Sequence, residues 1–552
     1  MNQIFAAVGV SDFKSYIQKY FLPIFLLDFI VLFLFVFGFS NVILKWVGFL
    51  IFFIVLIILF TYPILIIDSQ AKNIEQDLHY FITYAGALST VNLERKDMFE
   101  DLASKIRYKE IAKGFRKLLY LVNAIKLDFS TAAYKVASLY KTEHFSRFLE
   151  RMGIALSFNA NVSDFFMEEQ KALMNSYAII YKESLERIKL LEEMFVSLIL
   201  AFSFVLSTIL LMPFLTGINS TIFLLAGIFG ILILDLVIIV FSKYFLPEDK
   251  LYHNLWFEQT RQNVVVTFFI TLIICLIIFP FIYFTNLSLL LKAGIILTPL
   301  FFVGIYSNHQ EKLVWQRDVL FPPFIRSLGD IHQSKGGTLT TTVETLMPHN
   351  FGVLNEMLER VYKRLIITKD KFNSWYYFSK ESGSALIAEF MDIFVTVVYR
   401  GGSAQIAGEI VSDNMSRING LRDIKKEYVS SLKGDVYGAF FGFALTIYIS
   451  LLISSLLFNI FTSMTSGIDG MALQMVQGIF PTDLDNNLDL SMNYVAIIIL
   501  IHSFLSAFLL KSVDGGNYFS LFQDFIILLW MGIVIEIILT LLFENMFASY
   551  FL

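Results

Sequence analysis

Six ionisable side chains stand inside long apolar stretches of this 552-residue chain: Asp28, Asp235, Lys292, His502, Asp524 and Glu536. An ionised group in hydrocarbon is costly, so each needs a partner, a water-filled path or a proton to carry. A relay would string such groups along one cavity. These are scattered over several stretches, which points to polar contacts between helices or to dimer packing, with a relay or gate as the competing reading. A second set of candidates is basic and lies in polar sequence: Lys113, Arg116 and Lys117 in one short segment, Arg360 with Lys363 and Arg364, and Lys425 with Lys426. Clusters of this kind form a solvated helix face, touch anionic lipid, or dock an acidic surface of a partner protein.

Other chemistries lack their residues. No GxxxxGK[ST] loop is present to cradle phosphate, no HExxH pair occurs among the 7 His, and there is no GxSxG elbow. The lone cysteine, Cys275, excludes an intramolecular disulfide and a cysteine-built zinc site. The chain is therefore expected to carry no catalysis, cofactor or metal of its own, and any energy must come from a partner.

The elements that hold these residues are membrane helices. The chain is 57% apolar and 16% charged, with mean hydropathy +0.68, where soluble proteins carry about 25% charged residues. That composition excludes a soluble enzyme and a disordered chain alike. Nine stretches are long and apolar enough to span a bilayer: 21–39, 46–67, 195–215, 221–241, 264–284, 287–306, 436–461, 494–510 (the shortest) and 518–543. Residues before 21 read as a short surface helix, and no signal peptide is expected. The organisation is then 1–67, the surface helix with two spans; 68–194, a polar block; 195–306, four spans; 307–435, a second polar block; and 436–552, three spans with an acidic connection at 462–493.

The two polar blocks hold 34 of the 42 Lys and Arg residues. Their apolar residues recur at three- and four-residue steps, as in Phe115, Leu118, Leu119, Val122 and Ile125, or Leu386, Phe390, Ile393, Phe394 and Val397. Each block reads as an antiparallel bundle of about six helices, so the fold class is all-α polytopic membrane protein. Segments 172–193 and 414–433 read as long helices running into the third and seventh spans, the second weakened by Gly420 and Gly434. Pro322-Pro323 marks the start of the second block, and Gly336-Gly337 before Thr338 reads as a turn and a helix N-cap. The layout repeats at about 242 residues: Phe148-Leu149-Glu150 precedes Phe390-Met391-Asp392 by that interval, and Gly86 corresponds to the neighbourhood of Gly329.

Orientation follows the short loops. The 242–263 loop carries Lys243, Lys250 and Arg261, and Lys511 follows the eighth span, whereas the opposite set of connections holds only Lys45. With nine spans this places the N-terminus and both polar blocks in the cytoplasm and the C-terminus outside the cell membrane. The 462–493 connection has Asp469, Asp483, Asp485 and Asp489 and no base. It either escapes the inside rule or touches an external filament or envelope component.

Two helical blocks among membrane spans, the Gly86 and Gly329 neighbourhoods, Phe148-Leu149-Glu150-Arg151-Met152-Gly153 and Phe390-Met391-Asp392-Ile393-Phe394 carry a resemblance over nearly the whole chain. The sequence resembles the F-type inner-membrane platform proteins of type II secretion systems and type IV pili, and most closely their archaellum (archaeal flagellum) form. The resemblance implies a platform that couples a hexameric cytoplasmic secretion-type ATPase and accessory motor proteins to an archaellin- or pilin-like filament base, and that turns the filament. It implies a homodimer and no catalytic residues, with partner contacts on the polar blocks, where Lys113, Arg116, Lys117, Arg360, Lys363, Arg364, Lys425 and Lys426 lie. Nucleic acid is not expected, because each block is near neutral. Two alternatives stand beside it: the platform of a non-rotating archaeal pilus or adhesin system, and an ion or solute transporter with duplicated halves. The transporter predicts polar residues at matching positions of both halves, and Asp235 and Glu536 do not stand at the repeat spacing.

Overall fold

A 242-residue interval organises the helices. The computed structural model describes residue 25 and residues 74–91, 93–140, 142–158, 160–216, 221–246, 249–253, 256–465 and 484–546. Among these the chain is helical without strands, apart from one isolated bridge between Tyr252 and Ser384. The chain is an all-α polytopic membrane protein. The spans expected at 21–39 and 46–67, with Asp28, lie outside the described residues except for Phe25. The chain divides into two compact units, one up to Leu173 and one from Met174.

The first unit is a bundle of α1 (74–88), α2 (Arg95–Ser104), α3 (Lys109–Asn123), α4 (Phe129–Ala137), α5 (Glu143–Ser157) and the start of α6 (Val162–Thr216). Phe81, Phe99, Phe115, Phe145, Phe148 and Phe166 are all fully buried, and the Phe81 and Phe115 rings lie 5.1 Å apart. Ile111, Phe115, Leu118 and Leu119 give α3 its inward stripe. Ile125, expected to extend it, falls beyond the helix end and is exposed. Between α5 and α6, Arg151 Nε donates to both carboxylate oxygens of Glu169 at 3.0 and 3.1 Å.

The second bundle repeats that plan with α10 (Leu300–Lys335), α11 (Leu339–Leu346), α12 (Asn355–Ile367), α13 (Lys371–Ser382), α14 (Ala385–Tyr399) and α15 (Ala404–Thr465). Glu143–Ser157 and Ala385–Tyr399 match end to end, and Phe129 and Lys371, like Val162 and Ala404, open their helices at the same interval. Gly86 and Gly329 stand at equivalent close approaches. An added Cβ on Gly86 would press on Gln170 and Phe166, and one on Gly329 would lie 2.5 Å from the Ala404 carbonyl and 3.3 Å from Gly408. Thr338 caps α11 by accepting from Thr341 N, after Gly336 and Gly337 turn the chain at φ 70 and 88.

Pro322-Pro323 sits inside α10 rather than at its start. A proline offers no N–H to the carbonyl four residues back, so Pro322 frees Asp318 O, and Asn419 Nδ2 on α15 donates to it at 2.7 Å. Gly420 and Gly434 likewise lie within an unbroken α15, and α6 runs 55 residues without a break.

The membrane helices of the second unit are the later part of α6, α7 (Thr221–Phe245), α8 (Trp256–Tyr283), α9 (Leu289–Leu297) with the start of α10, the later part of α15, α16 (Leu484–Asp514) and α17 (Leu521–Met546). Among the described residues six helices are long and apolar enough to cross, and the sixth expected span is α9 and α10 joined at a 46° bend. Pro299 breaks the backbone ladder there, while Trp530 Nε1 donates to Thr298 Oγ1 at 3.0 Å. The eighth span, shortest by its apolar run, belongs to a 31-residue helix, because polar residues from Leu484 onward continue it. The connection expected at 462–493 is thus helical from Leu484, and 466–483 lie outside the described residues. The apolar stretch of α16 is 67% buried, against 11% for α8. Hence α16, packed on α7, α9, α15 and α17, is the core of the membrane region, and α8 turns Phe269, Ile273, Ile277 and Phe281 outward.

Within this unit α6 meets α15 at equivalent positions. Arg417 bonds to Asn175, Ser207 to Ser450, and Ser454 Oγ to Leu210 O at 3.2 Å, pairs separated by 242, 243 and 244 residues. Gly227 and Gly230 admit Leu206 and Phe202 of α6 against α7, close helix packing as their spacing suggests.

Candidate functional site

Charged side chains gather where the second bundle meets the ends of membrane helices of its own unit. Arg422, on α15 and buried, donates from Nε to both oxygens of Asp249 at 3.0 Å, from Nη1 to Asp318 Oδ2 at 2.8 Å and from Nη2 to Lys250 O at 3.3 Å. Asp318 is wholly buried on α10 and also accepts from Ser384 Oγ. Ser384 is the N-cap of α14, its Oγ accepting from Ile387 N at 3.1 Å. One guanidinium therefore ties the 249–253 loop, α10 and the cap of α14. The loop is further sewn to the α13–α14 turn by Ala385 N to Leu251 O at 3.0 Å and His253 N to Gly383 O at 2.8 Å. Burial holds the Asp318 carboxyl above its ordinary range, at about 6, despite the opposing Arg422 charge.

A second ionic group stands beside the first. Lys511, at the end of α16, donates to Glu311 Oε2 at 2.8 Å and to Asp514 Oδ2 at 2.9 Å, and Glu311 Oε1 accepts from Asn517 N at 2.6 Å. Between the two groups lies a cavity of about 330 Å³ lined by residues including Trp315, Lys425, Lys426 and Gly515. Removing one partner from a buried ion pair leaves an uncompensated charge, so such a junction fixes the relative positions of the helices it joins. Among the described residues no three His, Cys, Asp or Glu side chains converge to hold a metal.

The protein named Flagella accessory protein J from Methanocaldococcus jannaschii is 30% identical over 548 residues, covering 97% of this chain and 96% of its own length. The chain belongs to the flagella accessory protein J family. The protein of the same name from Methanococcus voltae is 28% identical over 490 residues, 86% of this chain and 87% of its own. No family model matches the sequence and no solved structure matches the chain.

In this member of the family the sequence-derived basic residues separate into distinct settings. Lys113 is exposed and pairs with Glu110 at 2.6 Å, Arg116 donates to Ala103 O at 2.9 Å, and Lys117 lies over the Tyr140 ring at 5.3 Å. On the second bundle Arg360 Nε meets Glu381 at 3.0 Å, Arg364 bonds the same carboxylate, and exposed Lys363 pairs with Glu359 at 2.6 Å. Lys425 and Lys426 are neighbours in sequence but not in setting: Lys425 is 5% exposed and lines the cavity, while Lys426 is exposed and stands 3.3 Å over the Trp315 ring.

Among the described residues the intramembrane acids do not converge. Asp235 Oδ2 and His502 Nδ1 are hydrogen-bonded at 2.9 Å, walled by Phe440 and Phe443. Asp524 accepts from Tyr437 Oη at 2.7 Å and pairs with Lys433, and half-buried Glu536 has no ion pair among the described residues. Lys292 donates to Tyr283 O at 3.4 Å. Sequence reasoning missed Arg422, Asp249, Asp318, Glu311 and Asp514. The available signal was weak: Lys511 and Glu311 sit just past span ends, where a charge reads as an ordinary flank.

Proposed function

We propose that this protein is the membrane platform of an archaellum or type IV pilus-like assembly machine, coupling a hexameric secretion-type ATPase to filament assembly and rotation. The relatives carry the name flagella accessory protein, which supports the flagellar half of that reading. The observation that supports the coupling half is α15. It begins inside the second bundle at Ala404 and continues through a span to Thr465 as one helix of 62 residues, about 90 Å at 1.5 Å per residue. A push on the bundle has no flexible joint to be lost in, and Arg422 fastens the same helix to α10 and to the 249–253 loop.

In this reading both bundles face the cytoplasm, the C-terminus lies outside, and the platform acts as a homodimer without chemistry of its own. Lys113, Arg116 and Lys117 on the first bundle, and Arg360, Lys363 and Arg364 on the second, supply separate docking surfaces for the ATPase. The test is co-purification of the full-length protein with its secretion ATPase from membranes. Changing Lys113, Arg116 and Lys117 together to Glu is expected to abolish the complex, and retention of the ATPase by that variant overturns the docking assignment. Counting filaments and tracking tethered cells in a deletion strain separates the rotating from the non-rotating machine.

A further inference from the structure

The cavity between the two ionic groups is lined by more basic than acidic side chains. Of its carboxylates, Asp249 is engaged by Arg422, and Glu311 and Asp514 are both engaged by Lys511. Lys312, Lys425 and Lys426 also line it, and among the described residues none of the three has a carboxylate within ion-pair distance. Lys425 is the telling one. It is 5% exposed, makes no hydrogen bond among the described residues, and its Nζ stands 3.3 Å from where a Cβ on Gly515 would lie.

Gly515 and Gly516 adopt φ of 85 and 79, and side chains there would fill the space next to Lys425 and Glu311. Burial lowers the pKa of Lys425, and an anion seated against it offsets that cost. A buried ammonium without a partner is expensive, and a cavity of about 330 Å³ is at the small end of ligand pockets. Lys312 and Lys426, which also line it, are exposed where Lys425 is buried.

We propose that this cavity is a binding site for a phosphate-bearing anion, held by Lys425 at its floor with Lys312 and Lys426 at its mouth. A phosphate group fits the donor set: three ammonium groups and no unengaged carboxylate. The cavity is built from residues that follow the fourth, sixth and eighth spans and precede the seventh. A lipid headgroup at the membrane surface and a free phosphate in solution can both reach a site at that level. The inference is independent of which machine the protein serves.

Full-length protein in neutral detergent is titrated with inorganic phosphate, short-chain phosphatidylglycerol and short-chain phosphatidylcholine. The readouts are the thermal unfolding midpoint and, for the lipids, retention in native mass spectra. Phosphate or phosphatidylglycerol is expected to bind, with Lys425→Met weakening the affinity by about tenfold or more and Lys425→Arg, or Lys335→Met at the far end of α10, leaving it in place. Tighter binding of phosphatidylglycerol than of phosphate assigns a lipid headgroup, and the reverse assigns a free anion. If K425M does not fold, the mouth variant Lys312→Met with Lys426→Met is expected to weaken binding several-fold. Absence of binding to both anionic probes, or affinity unchanged in the variants, overturns the proposal.

Discussion

The two bundles share a frame and differ in where they hold charge. In the second, Asp318, Ser384 and Arg422 form the buried junction. The positions 242 residues earlier are Gln76, Thr142 and Ile180. There, among the described residues, Gln76 Nε2 and Thr142 Oγ1 find no hydrogen-bond partner, Thr142 does not cap its helix, and Ile180 is exposed. The reverse holds for the pair Arg151 and Glu169, whose counterparts Ile393 and Val411 are buried and apolar. One helical plan thus tolerates opposite choices at the same sites. The polar lock is placed at the loop and membrane helices in the second bundle, and between two of its own helices in the first.

The comparison breaks most severely at Arg422. Arg422→Met leaves Asp318 buried without its cation and is expected to cost about 3–5 kcal/mol, read as a lowered unfolding midpoint or rapid proteolysis in detergent. Ile180→Met, at the equivalent exposed site, should stay within about 0.5 kcal/mol. Equal losses would end the distinction between the bundles.

Next comes pH. The Asp318 carboxyl is raised from 3.8 to about 6 in the fold, chiefly by burial, so the folded state holds its proton more tightly than the unfolded one. Its contribution is fully present below pH 4 and is lost as pH rises through about 6, a drop of about 3 kcal/mol. Asp318→Asn, which places an amide where the first bundle has Gln76, should flatten that part of the pH–stability profile. An unchanged profile would show that Asp318 stays ionised throughout.

Smaller effects sharpen the contrast. Gly329→Ala forces a Cβ against backbone at Ala404, whereas Gly86→Ala meets mainly the flexible Gln170 side chain. The first is expected to cost about 1–3 kcal/mol and the second less, measured as a difference in unfolding midpoint. Arg151→Met should cost about 1–2 kcal/mol, because that arginine is partly solvated. Adding Glu169→Leu, the apolar choice of the other bundle, should recover most of the loss.

The sequence made much of the frame legible. Phe390, Ile393, Phe394 and Val397 announced the inward face of α14, Thr338 the cap of α11, and the 242-residue interval the pairing of whole helices. These are local signals, or one long period. Pro322-Pro323 misled because the donor that rescues the helix, Asn419, is a hundred residues away, and Leu484–Asn493 because a helix can begin in polar sequence before its apolar run. The ionic junction was invisible for the same reason. Asp249, Asp318, Ser384 and Arg422 share no spacing and meet only once loop, bundle and span have folded together. Lys425 and Lys426 looked alike in sequence, and only burial separates the floor of a cavity from its mouth.

The meeting of α6 and α15 at matching residues has an evolutionary reading. Serine faces serine at 207 and 450, as happens when one surface is applied to its own copy across a rotation axis, the isologous contact of a cyclic dimer. Joining two copies of one helix in a single polypeptide would give such a contact, and each copy would then be free to diverge, so the charge-filled joint of the second bundle need not recur in the first.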